Sequence, residues 1–336
     1  MHLRSQTGGM TATTFQPSQA TSPRRPPRLD ELLDRELDYG VGAQGGFVNH
    51  LAMTLVAAWR LGAPEARLAE IYEEQAGDGY LIRAPRPDWL DEETARVVER
   101  GFRVTVAEQL PPLLSSLDAR WFHAVIRVEH AVDVQHPGQL ARALGDWREV
   151  ARPLPDLPER RGDRALRDVI QELALERIGA DLGGLRLRAV AEHPRFRRAL
   201  ESARLGPDAL REAAELALLG HVARNDFATL HLVTGACAAR ALAPLLSPAE
   251  RVVLGERLAQ AVSAGYLAGG GGQLPMPLAL EELRSRPVPV WDDIAARAAQ
   301  SDDAHVSKLV YACRREQQET GEPLYQWLAA RQCGMA

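Results

Sequence analysis

Apolar residues recur with a helical period along nearly the whole chain, which limits the fold more than any other feature. Ala, Leu, Arg and Glu dominate the periodic segments, and runs of β-branched residues are scarce. The sequence therefore predicts an all-α fold, a single large multi-helix bundle-like domain. The predicted helices are Leu29–Leu37, Phe47–Leu61, Pro64–Gln75, Glu92–Arg100, Val104–Leu117, Ala119–Val132, Pro137–Val150, Arg164–Glu176, Pro194–Ala203, Pro207–Ala223, Asn225–Leu245, Pro248–Ala264, Val290–Ala299, Asp302–Glu316 and Glu322–Gln332.

The N-terminal residues differ in composition from the rest of the chain. Residues 1–28 are rich in Ser, Thr, Gln, Pro and Arg and lack the apolar stretch of a signal peptide. We predict a disordered tail over 1–28 and an all-helical domain over 29–336. A proline-rich connector is expected at Arg152–Arg161. The four-glycine run Gly269–Gly272 does not meet the phosphate-loop or dinucleotide patterns, so it predicts a flexible loop that can act as a lid.

The composition excludes several classes of function. The 336 residues carry a net charge of -5, and the 40 basic residues are interspersed with 45 acidic ones, so no nucleic-acid-binding surface is indicated. No run of 18 apolar residues occurs, which argues against a membrane span. The three cysteines are widely spaced and form no CxxC pair, as expected for a reducing, cytoplasmic compartment. The expected partner is a small molecule, and a homodimer is possible.

The chain contains one lysine. Of its 40 Lys and Arg residues, 39 are arginine, and the exception is Lys308. Lysine can lose its proton when buried, whereas arginine stays charged. His305 stands three residues earlier, so the two side chains share a helix face. Lysine rarity also follows from GC-rich coding, but the neighbouring histidine favours a functional role.

Five histidines fall inside predicted helices, each at or beside an apolar face. A single buried histidine is usually structural, but imidazoles from different helices can assemble a metal site. None of the five stands three residues after a glutamate, so such a site would lack carboxylate ligands of the Glu-x-x-His type. A neutral lysine that reacts with CO2 becomes a carbamate, which would supply an anionic oxygen. The five are His50, His123, His130, His231 and His305.

Four segments, taken together and in order, resemble the questin oxidase-like family. They are Asn49-His50 with Leu61-Gly62-Ala63, Phe122–Arg127, His231–Ala236 and His305–Val310. Members of that family cleave anthraquinone rings of aromatic polyketides, and one type resembles a mononuclear non-haem iron oxygenase with four histidine ligands and a carboxylated lysine. By position, the resemblance implies the metal ligands His50, His123, His231, His305 and Lys308. His130 lies outside the matched segments and is a reserve ligand or a group that orients one.

The resemblance implies an Fe(II)-dependent oxygenase of an aromatic natural product that uses O2 for oxidative ring cleavage or Baeyer–Villiger-type oxygen insertion. Zn or Ni can substitute for iron in an imidazole-rich site. The family is associated with NADPH, but the sequence shows no nicotinamide or flavin pattern. Arg127, one turn after His123, is a candidate anchor for a phenolate or carboxylate of the substrate. Alternatively, it forms an ion pair with an acidic residue at the edge of the core. We name Arg127 and His130 as the candidate catalytic residues.

Two other functions remain open at this point. In a metal-free enzyme, Lys308 would act as a base or as a Schiff-base nucleophile with help from histidine. In a helical small-molecule-binding protein without catalysis, the histidines would be core residues.

Overall fold

The computed structural model describes residues 25–77, 79–159, 162–175 and 186–336, and its regular structure is almost entirely helical. The predicted all-α class is therefore confirmed. Of the predicted tail, residues 1–24 lie outside the described residues. The helices are α1 Pro27–Glu36, α2 Leu51–Arg60, α3 Glu65–Gly77, α4 Leu90–Arg100, α5 Phe102–Gln109, α6 His123–Val134, α7 Pro137–Val150, α8 Leu166–Leu175, α9 Arg186–Glu192, α10 Pro194–Ser202, α11 Ala209–Arg224, α12 Phe227–Leu242, α13 Pro248–Ala268, α14 Pro277–Ser285, α15 Trp291–Ala299, α16 Ala304–Thr320 and α17 Leu324–Gln332.

A short two-stranded antiparallel sheet, with one strand before α2 and the other after α3, was not predicted. It consists of β1 Tyr39–Ala43 and β2 Leu81–Arg83. The backbone amide of Asn49 donates to the carbonyl of Val41 at 2.9 Å, so the chain before α2 is extended. The helix predicted to start at Phe47 is therefore wrong in its first turn. Helices α9 and α14 were also missed, since both are short.

Helix α12 lies at the centre of the core, where it contacts α6, α11, α13 and α16. All its residues from 229 to 239 are buried. Among the described residues, one segment, Phe227–Leu245, has the length and apolar composition of a membrane-crossing helix, yet 72% of that window is buried inside the protein. The core helix of a soluble protein passes the same test, so the composition of α12 reflects its central position equally well.

The four-glycine run, predicted to be a flexible loop, makes hydrogen bonds to neighbouring helices. Arg224 donates to the carbonyl of Gly271 at 2.7 Å, and the Tyr266 hydroxyl donates to the carbonyl of Gly272 at 3.0 Å. Gln171 donates to the same Gly272 carbonyl at 3.2 Å. The φ angles of Gly270, Gly271 and Gly272 are 107°, 56° and 120°, which only glycine adopts without strain. The run therefore forms a fixed turn against neighbouring helices.

A glycine on α12 allows the start of α6 to approach closely. A Cβ atom at Gly235 would lie 2.5 Å from the Cβ of Phe122, the residue before His123. This contact sets the spacing between the first turn of α6 and the middle of α12. It thereby controls how closely His123 approaches His231.

We predict that Gly235→Ala destabilises the protein by about 1–3 kcal/mol, because the added methyl group overpacks the contact with Phe122. The control is Gly77→Ala at the end of α3, where a Cβ would meet nothing within 4 Å. That variant should be neutral or slightly stabilised. Urea unfolding of both variants measures the effect. Equal stability of Gly235→Ala and the wild type would show that the contact does not constrain packing.

Candidate metal centre

Four histidine side chains converge at one point, and we call them the histidine centre: His50, His123, His231 and His305. The Nε2 atom of His123 lies 2.8 Å from Nε2 of His50 and 3.2 Å from Nε2 of His231. The ring centroid of His305 lies 4.8 Å from that of His50 and 5.4 Å from that of His231. One ligand atom from each of His50, His231 and His305 lies within 4.8 Å of the others. The structure thus brings together the four histidines that the family resemblance implied.

The histidine centre is built at the starts of helices. His50 is the N-cap residue of α2, not a residue within that helix as predicted, and His123 is the first residue of α6. His305 is the second residue of α16, and His231 lies in the second turn of α12. Helix N-termini carry partial positive charge, which disfavours an imidazolium and favours an anionic ligand nearby.

A strained turn fixes the ring of His123. Arg120, Trp121 and Phe122 have φ angles of 50°, 55° and 66°, a left-handed conformation that costs about 1–2 kcal/mol for each non-glycine residue. The sequence predicted a helix from Ala119, but α6 begins only at His123, and this turn precedes it. The turn places the carbonyl oxygen of Arg120 within hydrogen-bond distance of Nδ1 of His123. The strain therefore serves to orient a side chain of the histidine centre.

Two other rings are oriented in the same way. Nδ1 of His231 lies 2.7 Å from the carbonyl oxygen of Phe227, and Nδ1 of His305 lies 2.9 Å from a carboxylate oxygen of Asp303. Asp303 is also the N-cap of α16, so the helix begins after it and not at Asp302 as predicted. Such hydrogen bonds on the far nitrogen are typical of metal-binding histidines, because they fix the tautomer and the ring orientation.

The tautomers leave two lone pairs facing each other. A carbonyl oxygen only accepts, so Nδ1 of His123 and Nδ1 of His231 must carry the protons. Their Nε2 atoms are then both acceptors, 3.2 Å apart, and cannot hydrogen-bond to each other. Nε2 of His305 is also buried without a hydrogen-bond partner. A cation or a shared proton between these atoms would remove the repulsion.

Burial disfavours the shared proton. It holds the pKa of His50 and His123 well below the ordinary value of 6.5 and lowers the pKa of His231 to about 3. The charge of Lys308 lowers all three pKa values further. These three rings are therefore uncharged at neutral pH, the form in which an imidazole nitrogen can bind a metal ion. A divalent cation that prefers imidazole nitrogen fits this set of donors.

Lys308 is buried beside the histidine centre, with 3% of its surface exposed. Burial lowers the pKa of its amine to about 7, and the charge of Asp303 only partly opposes this effect. Near neutral pH a large fraction of the amine is therefore unprotonated. An unprotonated amine can act as a nucleophile or react with CO2, which arginine at this position could not do.

The two candidate catalytic residues lie on α6, one and two turns after His123. Arg127 is buried and pairs with a carboxylate oxygen of Glu36 at 3.5 Å, the core ion pair that was one alternative for it. One of its terminal nitrogens lacks a hydrogen-bond partner. It lines a small cavity together with His123 and Arg120. Burial lowers the pKa of His130 to about 4, and its ring contacts Tyr311 at a centroid distance of 5.3 Å. Neither residue joins the four converging rings.

Glu36 was missed by the sequence analysis, and it connects two parts of the site. Its carboxylate accepts hydrogen bonds from Asn49 at 2.8 Å and from Gln139 at 2.8 Å. Asn49 precedes His50, and its side-chain oxygen accepts from the backbone amide of Leu51 at 2.9 Å. Because Arg127 of α6 pairs with the same carboxylate, Glu36 links the start of α2 to α6. The sequence signal for this role of Glu36 was a glutamate on the otherwise apolar face of α1.

The comparison with known families bears on the C-terminal part of this site. Residues 209–313 of the 336 match the model of the questin oxidase-like family. Over this segment the chain is similar to that family. The segment contains His231, His305 and Lys308 and ends within α16. No curated protein gives a significant match to the chain. The match indicates an oxidoreductase, and the resemblance inferred from the sequence is confirmed over this segment.

We predict that Glu36→Gln weakens metal binding about 10- to 100-fold, since an amide cannot accept from both Asn49 and Gln139 and His50 would lose its anchor. Titration of the metal-free protein with Co²⁺ measures the affinity. The control is Glu212→Gln, which removes a buried carboxylate that accepts from Leu166 and Arg204 at 3.0 Å each. It should lower the melting temperature without changing the affinity. Unchanged affinity in Glu36→Gln would contradict the linking role.

We also predict that the metal-free protein loses stability as the pH falls from about 6.5 to 4. In the folded state the pKa values of His130, His221 and His231 are about 4, 4 and 3, against an ordinary 6.5. In this window these histidines bind fewer protons in the folded state than in the unfolded chain, so their contribution to the free energy of unfolding decreases with decreasing pH. Burial raises the pKa of Asp118 to about 6, and this carboxyl opposes part of the loss.

Urea unfolding at pH 7.5, 6 and 5 tests this prediction. His221→Gln should show a weaker pH dependence than the wild type, because one of the buried imidazoles with a lowered pKa is gone. His193→Gln, at a partly exposed N-cap, should behave as the wild type does. A free energy of unfolding that is constant or rises on acidification would contradict the buried, neutral state of these rings.

Proposed function

We propose that the protein is a non-haem iron-dependent oxygenase of an aromatic, polyketide-like compound. The observation that carries the proposal is the pair of Nε2 acceptors of His123 and His231, which face each other at 3.2 Å in a buried site. The questin oxidase-like match over residues 209–313 supports the reaction class. Iron(II) held there would supply O2 activation and Lewis acidity towards an oxygen of the substrate.

In this proposal, Lys308 supplies the anionic ligand. Its neutral nitrogen forms a bond to the carbon of CO2, and one proton leaves to solvent, which yields a carbamate. The carbamate charge would offset the divalent cation among neutral imidazoles. It would also be stabilised by the positive ends of α2, α6 and α16, which begin at the site.

Residues around the proposed ligands orient the histidine rings, and their burial limits access of water. Asp303 orients His305 through Nδ1, and Phe227 orients His231 through its carbonyl oxygen. His123, His231 and Lys308 are buried, so bulk water is excluded from the inner side of the site. Arg127 is proposed to anchor an acidic group of the substrate, and His130 to assist as a buried base. O2 and the aromatic substrate are the proposed partners.

The proposed reaction is oxidative ring cleavage in which both atoms of O2 enter the product, which needs no external reductant. Insertion of a single oxygen atom would require two further electrons, for example from NADPH. The described residues contain one two-stranded antiparallel sheet, whereas a Rossmann-type nicotinamide site needs parallel strands. The three cysteines are free, which supports a reducing, cytoplasmic location.

We predict about one iron per chain after anaerobic purification, measured by elemental analysis. His231→Ala should lose the iron. Lys308→Arg keeps the positive charge but cannot form a carbamate, so it should bind iron at least about 100-fold more weakly. His193→Ala, outside the histidine centre, should retain wild-type iron. Retention of iron and activity by Lys308→Arg would overturn the ligand role of Lys308.

A second function is favoured by one observation, the pKa of about 7 for the Lys308 amine. A neutral, buried lysine can form a Schiff base with a carbonyl substrate without any metal. Borohydride reduction in the presence of an aromatic aldehyde, followed by mass spectrometry, distinguishes the two functions. A trapped adduct at Lys308 in a metal-free, active protein would favour the Schiff-base enzyme over the oxygenase.

A further inference from the structure

Phe227 is an exposed aromatic residue that contacts the histidine centre. It is the first residue of α12, and 57% of its surface is exposed. Its ring centroid lies 4.3 Å from that of His231 and 5.1 Å from that of His305. One side of the ring therefore packs on two proposed metal ligands, while the rest faces solvent.

The backbone around Phe227 is held in place. Asp226 caps α12 by accepting from the backbone amide of Thr229 at 2.9 Å. Arg224 donates to Asp226 at 2.7 Å and to the carbonyl of Gly271 at 2.7 Å, so the glycine turn supports the cap. An exposed aromatic ring on a fixed turn needs little ordering when a ligand binds, which favours binding.

The histidine centre lies close to the protein surface on the side of Phe227. His50 and His305 are partly exposed, whereas His123 and His231 are buried. A ligand that approaches from solvent therefore meets His50 and His305 first, beside the exposed part of the Phe227 ring. The partial positive charge of the helix starts favours an anionic oxygen at the point of arrival.

We propose that Phe227 is a binding platform for a flat, fused-ring aromatic ligand, which stacks on its exposed face and turns an edge oxygen towards the histidine centre. Aromatic rings stack favourably in offset or edge-to-face arrangements with centroids about 4.5–7 Å apart. A saturated ring system of similar size has no π-face and cannot stack in this way. The platform deepens the proposed function by assigning a residue to substrate selection, but the stacking itself does not require iron.

The test uses calorimetric titration of the zinc-loaded full-length protein under nitrogen, with 1-naphthol as the flat probe and decahydro-1-naphthol as its saturated counterpart. Phe227→Ala and Phe227→Leu should both bind 1-naphthol about 3- to 10-fold more weakly, and Phe227→Trp should bind it at least as tightly as the wild type. Decahydro-1-naphthol should bind weakly and show no dependence on residue 227. Zinc content should be unchanged in all variants.

Phe47 provides the matched control, because it is also 57% exposed but its ring lies near Tyr80, at 6.4 Å. Phe47→Ala should bind 1-naphthol as the wild type does. Equal affinity of Phe227→Leu and the wild type, or equal losses in the Phe47 and Phe227 variants, would overturn the platform. A wild-type protein that binds 1-naphthol in this Phe227-dependent way but takes up no metal would instead refute the oxygenase and leave the platform standing.

Discussion

The histidine centre depends on the hydrogen bonds that fix the Nδ1 atoms of its rings, the nitrogens that face away from the other rings. The carbonyls of Arg120 and Phe227 hold Nδ1 of His123 and His231, so both Nε2 lone pairs point at each other. Nε2 of His50, 2.8 Å from Nε2 of His123, can donate to only one of the two acceptors. A cation between the rings would satisfy both lone pairs, which are costly to leave unpaired in a dry interior. The low pKa values of these rings, which follow from burial, make a proton a poor candidate for that cation.

The surrounding fold is arranged to bring these rings together. Gly235 lets Phe122 approach α12, and the left-handed turn before α6 then directs His123 towards His231. On the opposite side, Glu36 ties the start of α2 to α6 through Asn49 and Arg127. Burying Glu36 raises its pKa, and its three partners offset much of the cost of burying a carboxylate. The site thus relies on packing and on buried polar contacts from several helices.

The all-α class and the residues of the histidine centre could be predicted from the sequence. The contacts that orient those residues could not. Periodicity locates helices because each buries one face, and histidines on such faces in a chain with one lysine stand out. Whether the rings meet depends on helix packing, which periodicity does not give. The two-stranded sheet was missed because its strands are short and are separated in the sequence by α2 and α3. The role of Glu36 became visible only when α1, α2 and α6 were placed together.

The most direct test of the central claim is anomalous X-ray diffraction at the iron edge, from crystals of protein loaded anaerobically with iron(II) in bicarbonate buffer. The account predicts one anomalous peak within coordination distance of the Nε2 atoms of all four rings of the histidine centre. It also predicts electron density that extends beyond Nζ of Lys308. A fully loaded crystal with no peak there, and with the Nε2 atoms of His123 and His231 still facing each other, would contradict it.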